Sequence, residues 1–121
     1  MDASALLAFL AHESGWQQVQ AALKNGALVS AANWSETIQK FSQRAGTFDL
    51  AGELLLSYGL KIEPVTEVDA VKAAELWQLR RDLSLGDRLC IALANRMHCT
   101  AMTSDSAWGT KLADVAITQI R

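Results

Sequence analysis

The stretch Leu83-Ser84-Leu85-Gly86-Asp87-Arg88-Leu89-Cys90-Ile91-Ala92-Leu93-Ala94 decides how this chain folds. Leu89, Cys90, Ile91, Leu93 and Ala94 cover most sides of a helix, so that helix must be buried. One carboxylate, Asp87, stands in its first turn, where the positive end of the helix dipole favours an anion. Two readings of that acid are open. Ser84-Leu85-Gly86-Asp87 fits a capping box, in which Asp87 satisfies a backbone N–H near Ser84. The other reading is a charge held rigidly on the rim of a core, ready for chemistry.

Around this helix, short apolar runs alternate with helical patterns. Upstream, helices are expected from Ser4 to about Glu13, with Leu6, Phe9 and Leu10 inward, and from Trp16 to Lys24, closed by Asn25-Gly26. Ala27-Leu28-Val29-Ser30-Ala31 reads as a buried strand. A helix then runs to about Arg44 with the stripe Trp34, Ile38 and Phe41. The next spans Asp49 to Tyr58 with Leu50, Leu54 and Leu55 inward. Leu60 to Val65 alternates like a strand and carries the only proline, which places it at a sheet edge. A longer helix covers Glu67 to Asp82, with Val68, Val71, Leu76, Leu79 and Leu83 as its stripe. After the organising helix, Thr100 to Thr103 reads as a strand, Ser106 to Leu112 as a short helix, and Val115 to Ile120 as a last strand. Such alternation implies a three-layer α/β/α fold with a mainly parallel central sheet.

A chain of 121 residues is one domain, 1–121, long enough to bury a core. No apolar run approaches a membrane span. The N-terminus lacks the basic flank of a secretory signal. Cys90 and Cys99 are too few for a disulfide framework, and Cys90 falls in the apolar helix, so a reduced, cytoplasmic setting is expected. The net charge of −2 gives no general attraction to polyanions. Any phosphate contact must come from local groups such as Arg80, Arg81 and Arg88, or Lys40 and Arg44.

In parallel α/β folds ligands bind beyond the carboxyl ends of the strands. Four acids stand at such junctions: Asp2 before the first helix, Glu36 after the Ala27–Ala31 run, Asp87, and Asp105 after the Thr103 strand. Each has a plain structural explanation. Asp105 can cap the Ser106 helix, Asp2 the first helix, and Glu36 points away from its apolar stripe. Converging on one sheet edge, however, they repel one another and call for a cation. Hard ions such as Mg²⁺ prefer oxygen ligands, with Ser4 and Ser104 as added hydroxyls. Metal-assisted phosphodiester hydrolysis is the chemistry such a site supports.

Met1-Asp2-Ala3-Ser4-Ala5-Leu6-Leu7-Ala8 resembles the opening of a PIN domain, the nuclease fold of VapC-type toxins. Val29-Ser30-Ala31-Ala32-Asn33-Trp34-Ser35-Glu36 resembles its second acidic segment. Leu85 to Ala94 is similar to the third, and Thr103-Ser104-Asp105-Ser106-Ala107-Trp108 to the fourth. The likeness covers nearly the whole chain, with the acids in the family's order. It implies that Asp2, Glu36, Asp87 and Asp105 hold one or two Mg²⁺ or Mn²⁺ ions, with Ser4 and Ser104 supporting them. It also implies RNA cleavage, a homodimer, and inhibition by a cognate antitoxin. The chain departs from the family in one respect: several apolar residues forming a central strand usually precede the first aspartate. Here the first strand is expected to be missing or truncated.

Three rivals are weaker or differ in kind. A metal-independent ribonuclease needs general acid–base groups, and neither His12 nor His98 neighbours the acids in this reading. A phospho-acceptor receiver domain needs paired acids after its first strand and a lysine after its last. A catalytically decayed PIN-fold interaction module keeps the fold without the chemistry, and metal binding separates it from a nuclease.

Overall fold

Short hydroxyl and carboxylate side chains start four of the six α-helices of this protein, and the computed structural model describes all 121 residues. The elements are α1 (Ala3–Leu10), α2 (Trp16–Lys24), β1 (Leu28–Ser30), α3 (Ala31–Ala45), α4 (Asp49–Ser57), β2 (Lys61–Glu63), α5 (Glu67–Leu79), α6 (Leu85–Arg96), β3 (Ala101–Thr103), a 3-10 turn (Ser106–Trp108), β4 (Lys111–Leu112) and β5 (Val115–Gln119). Asp2 caps α1 and Ser30 caps α3, while Thr66 and Ser84 form capping boxes with Asp69 and Asp87. Each cap satisfies N–H groups that a helix start leaves without partners. No helix is long and apolar enough to cross a membrane.

The sheet is α/β in character and mainly parallel, with a division at its centre. β1 pairs in parallel with β2, and β3 in parallel with β5; β4 lies antiparallel on β5. β2 is an edge strand, where its proline-bearing continuation is tolerated. Between β1 and β3 runs only Met1-Asp2. The Met1 nitrogen donates to the Leu28 carbonyl at 2.8 Å, and the Asp2 N–H donates to the Met102 carbonyl at 3.0 Å. Two residues thus stand where a central strand was expected. An apolar cavity of about 300 Å³ adjoins them, lined in part by Met1, Leu28, Cys90, Leu93, Ala101 and Met102.

Two buried clusters sandwich the strands. One gathers Leu6, Phe9, Val19, Leu23, Val29 and Leu55; the other gathers Leu76, Cys90, Ile91, Trp108, Val115 and Ile117. The organising helix behaves as its composition demands: Leu89 to Ala94 are all buried. Burial pushes the Cys90 thiol up to about 12, so it is an inert core residue. At Gly15, with φ of +90°, a side chain would collide with the Ile120 carbonyl, so glycine alone lets the turn before α2 meet the end of β5.

Three expectations need correction. On α5, Val68, Val71 and Leu79 are more than half exposed, and the inward residues are Asp69, Ala73 and Leu76. The rotation follows from α6, whose Arg96 donates to both Asp69 oxygens at 2.8 and 3.1 Å and makes that buried charge tolerable. Arg88 fixes the same orientation by donating to the Ala73 carbonyl. On α4, Leu50 and Leu54 face outward and only Leu55 is buried among the three expected. The Ser106–Leu112 helix is a single 3-10 turn followed by β4, because Gly109, with φ of +75°, breaks it and Lys111-Leu112 finds backbone partners on β5.

Candidate functional site

The carboxyl ends of β1 and β3, the bridge Met1-Asp2 and the start of α6 meet at one edge of the sheet. Ser30 ends β1 and caps α3 without a loop, which carries Glu36 into the second turn of α3. Thr103 ends β3, and Asp105 follows in the connection to the 3-10 turn. Asp87 enters on the first turn of α6.

Asp2 is buried, and its carboxylate is fully engaged. It accepts from the Ala5 N–H at 2.9 Å, the Thr103 hydroxyl at 2.6 Å and the Ser4 hydroxyl at 2.8 Å. Burial pushes its pKa up, against the opposing pull of the Thr103, Ala5 and Ser4 bonds. Ser4 and Thr103 tie Asp2 to the Asp105 segment: the Ser104 N–H donates to Ser4 Oγ at 2.9 Å, and the Asp105 N–H donates to Thr103 Oγ1 at 3.0 Å. Ser104 therefore enters this network through its backbone. The hydroxyl touching Asp2 from β3 is that of Thr103, which the sequence reading passed over. Strand alternation could have found it, since Thr103 shares the inward face with Ala101, one step before the acidic segment.

Glu36 and Asp105 each lie within electrostatic reach of Asp87. Burial raises the Asp87 pKa, and the charges of Glu36 and Asp105 raise it further; the Ser84 backbone and hydroxyl bonds oppose the shift. The Asp87 carboxylate accepts from the Ser84 N–H at 3.2 Å, and the Ser84 hydroxyl accepts from the Asp87 N–H. The capping box is formed as expected; it occupies one carboxylate oxygen, and Glu36 and Asp105 still act on the Asp87 charge. Asp105 similarly accepts from the Ala107 N–H at 2.9 Å. Glu36 has one cation in contact, the Lys40 ammonium at 2.7 Å. Arg80 stands at the rim, donating to the Ala107 carbonyl at 2.7 Å and gripping Asp82, with Asp105 near enough to favour its charge.

Gly86 lets these groups approach. A methyl at its Cα would stand 3.3 Å from Glu36 Oε2 and 3.6 Å from Asn33 Nδ2. Asn33 is fully buried and donates from Nδ2 to the Gly86 carbonyl at 3.1 Å, while its Oδ1 has no partner. No three acidic, histidine or cysteine side chains are drawn close enough to chelate an ion directly. An all-oxygen donor set of mutually repelling acids fits a hard divalent ion that keeps part of its water shell.

The comparisons agree with this architecture. A solved structure described as a toxin-antitoxin complex from Klebsiella pneumoniae superposes with a TM-score of 0.77 at 16% identity, covering 99% of this chain and 95% of that one. At that identity the likeness establishes the fold. No curated protein sequence matches the chain. The family model for the PIN domain matches residues 1–114, taking in all four junction acids and every element through β4. The chain belongs to the PIN domain family.

Proposed function

We propose that this protein is a metal-dependent endoribonuclease and the toxin of a toxin–antitoxin pair, acting in the cytoplasm. The observation that carries the proposal is that Asp87, at the start of α6, feels the charges of Glu36 from α3 and Asp105 from the segment after β3, with Glu36 also packed beside Gly86. Asp87 has no cation of its own there, and its carboxyl is pushed up by burial and by the other two acids. PIN domains are generally nucleases, which makes a phosphodiester the bond to test.

In this reading Asp2, Glu36, Asp87 and Asp105 hold Mg²⁺ or Mn²⁺, with Asp2 supplying charge from the buried floor. When bound, the ion supplies a water of lowered pKa and offsets the charge on the phosphate. The chain's own residues do the rest. Ser4 and Thr103 keep Asp2 from turning away, the capping bonds at Ser84 fix Asp87, and Lys40 holds Glu36 in its rotamer until a stronger cation competes for it. Arg80 is the cation placed to meet a phosphate at the rim.

Two exposed apolar faces suit partners. Leu50 and Leu54 lie on α4, and Val68, Val71 and Leu79 recur at helical spacing on α5. We assign one to a cognate antitoxin, as the toxin-antitoxin neighbour suggests, and the other to a second copy of this chain.

The test is incubation of the purified protein with a mixture of structured RNAs and with matched single-stranded DNA, with Mg²⁺, with Mn²⁺ and with EDTA. Cleavage of RNA that appears with either ion and stops with EDTA is the expected outcome. Failure to cut any RNA, together with no measurable Mn²⁺ binding, would leave the decayed interaction module as the correct reading.

A further inference from the structure

Asn33 occupies N3 of α3, one turn before Glu36, and its side chain leaves its own helix to reach the backbone of another. The acceptor is the carbonyl of Gly86, the residue immediately before Asp87. A carbonyl accepts only from the amide nitrogen, so Oδ1 is the atom left without a partner. A fully buried amide with half its hydrogen-bonding capacity unmet is an expensive way to fill space. An apolar residue of similar size would avoid that cost. What such a residue could not do is tie the first turn of α6 to the first turn of α3.

We propose that Asn33 is a positioning residue for the acid site: its amide clamps the start of α6 onto α3 and sets the gap between Glu36 and Asp87. The proposal deepens the metal-site reading and rests on it. The local sequence serves the clamp from both sides. The Ser30 hydroxyl accepts from the Asn33 N–H at 3.3 Å, and the Thr37 hydroxyl donates to the Asn33 carbonyl at 2.7 Å, so the residue is anchored at both ends of its backbone. Opposite it, Gly86 has no side chain to hold the helices apart; an added Cβ would press on Glu36 Oε2 at 3.3 Å. Without the clamp the two helix starts are free to separate, which relieves the repulsion between the acids and dissolves the site.

Calorimetric or EPR titration of Mn²⁺ onto the folded protein tests this, in wild type, Asn33→Leu, Gly86→Ala and Val19→Ala. Val19 is a buried core residue of α2 outside the site, so its variant reports the effect of lost stability alone. Asn33→Leu should weaken Mn²⁺ binding by about tenfold or more, the usual range for residues that orient metal ligands. Gly86→Ala, which forces the same gap with Asn33 intact, should weaken it in the same direction. Val19→Ala should melt earlier and bind as wild type does. Affinity within twofold of wild type in Asn33→Leu overturns the clamp, and so does an equal loss in Val19→Ala. If Asn33→Leu does not fold, unchanged affinity in Gly86→Ala overturns it instead. A wild-type protein that binds no Mn²⁺ overturns the metal reading itself, and the clamp with it.

Discussion

Thr66-Glu67-Val68-Asp69 opens α5 and Ser84-Leu85-Gly86-Asp87 opens α6, and both close the same kind of capping box. In each, a hydroxyl accepts from the N–H three residues on, and the aspartate there accepts from the cap's own N–H. The electrostatic outcomes are opposite. Burial pushes Asp69 up, but hydrogen bonds from Arg96 and the Thr66 amide, and the Arg96 charge, outweigh it and hold the carboxyl below its ordinary value. Burial also pushes Asp87 up, and there Glu36 and Asp105 add to the push. The same kind of local motif thus yields an acid held low by a paired arginine in one helix and an acid held high by burial and two neighbouring acids in the next. The cap is local; the role comes from what faces it.

The largest effect that separates the two is on activity. Asp87→Asn keeps the size and the capping oxygen but removes the charge, and should cut metal-dependent RNA cleavage by roughly 100-fold or more, as losses of charge-stabilising groups at reaction centres do. Its melting temperature should hold or rise, since repulsion with Glu36 and Asp105 is relieved. Asp69→Asn should show the reverse: lower stability, with cleavage per folded molecule close to wild type. Matching losses of activity in the two variants would erase the distinction between the acids.

Next comes the neutralising partner. Arg96→Met strands the Asp69 charge in the α5–α6 interface. Arg96 is partly exposed, so the loss is smaller than for a fully buried pair, yet the melting temperature should fall by clearly more than a degree or two. Thermal unfolding followed by circular dichroism measures it. A shift of a degree or two would mean that Asp69 is neutralised by protonation or water rather than by Arg96.

This pair also shows which parts of the molecule the sequence could not reveal. Leu89 to Ala94 declared α6 buried because apolar residues occupied every face, and no partner was needed to decide it. For α5 the apolar residues Val68, Val71 and Leu79 set a false inner stripe. The true one runs through Asp69, whose burial depends on an arginine 27 positions away. No window of local sequence contains both. Strand ends and helix starts were enough to single out four candidate acids, whereas the uncharged residues that contact this region were harder to see. Thr103 and Asn33 carry no charge, and each reveals its part only through a partner on another element, Asp2 for one and Gly86 for the other. The bridging of β1 and β3 by two backbone hydrogen bonds of Met1 and Asp2 is a matter of geometry alone.

The pH dependence of metal binding gives a smaller, signed contrast. Asp69 is held low in the folded state, so its contribution to stability is present above the ordinary carboxylate value and is lost as pH falls through the depressed one. Asp2 and Asp87 are held high, so their contributions are full below the ordinary value and fade as pH rises through the raised ones. At neutral pH the ion-free site therefore weakens the fold, and Mn²⁺ should restore what is lost. At Mn²⁺ about ten times its dissociation constant the gain is about 1.4 kcal/mol. It should shrink toward about pH 4, where protons compete for the same carboxylates. The gain should vanish in Asp87→Asn and survive in Asp69→Asn. A gain equal in all three proteins would place the ion elsewhere.

The smallest expected effect is the most direct test of the comparison. Glu36→Gln removes one of the two charges raising Asp87 and leaves its burial and its Ser84 bonds in place. Followed by NMR of the carboxyl carbons without metal, the Asp87 midpoint should move down but stay above its ordinary value, because burial is the larger cause. Asp69 should not move, since its neighbours are Arg96 and Thr66. The released Lys40 ammonium pulls Asp87 in the same direction if it swings toward the site, so Glu36→Gln combined with Lys40→Met isolates the loss of Glu36 itself. An Asp87 midpoint unchanged in the double variant would show that burial alone raises it. Glu36 and Asp87 would then be neighbours without electrostatic coupling, and the case for a shared cation between α3 and α6 would fail at its first step.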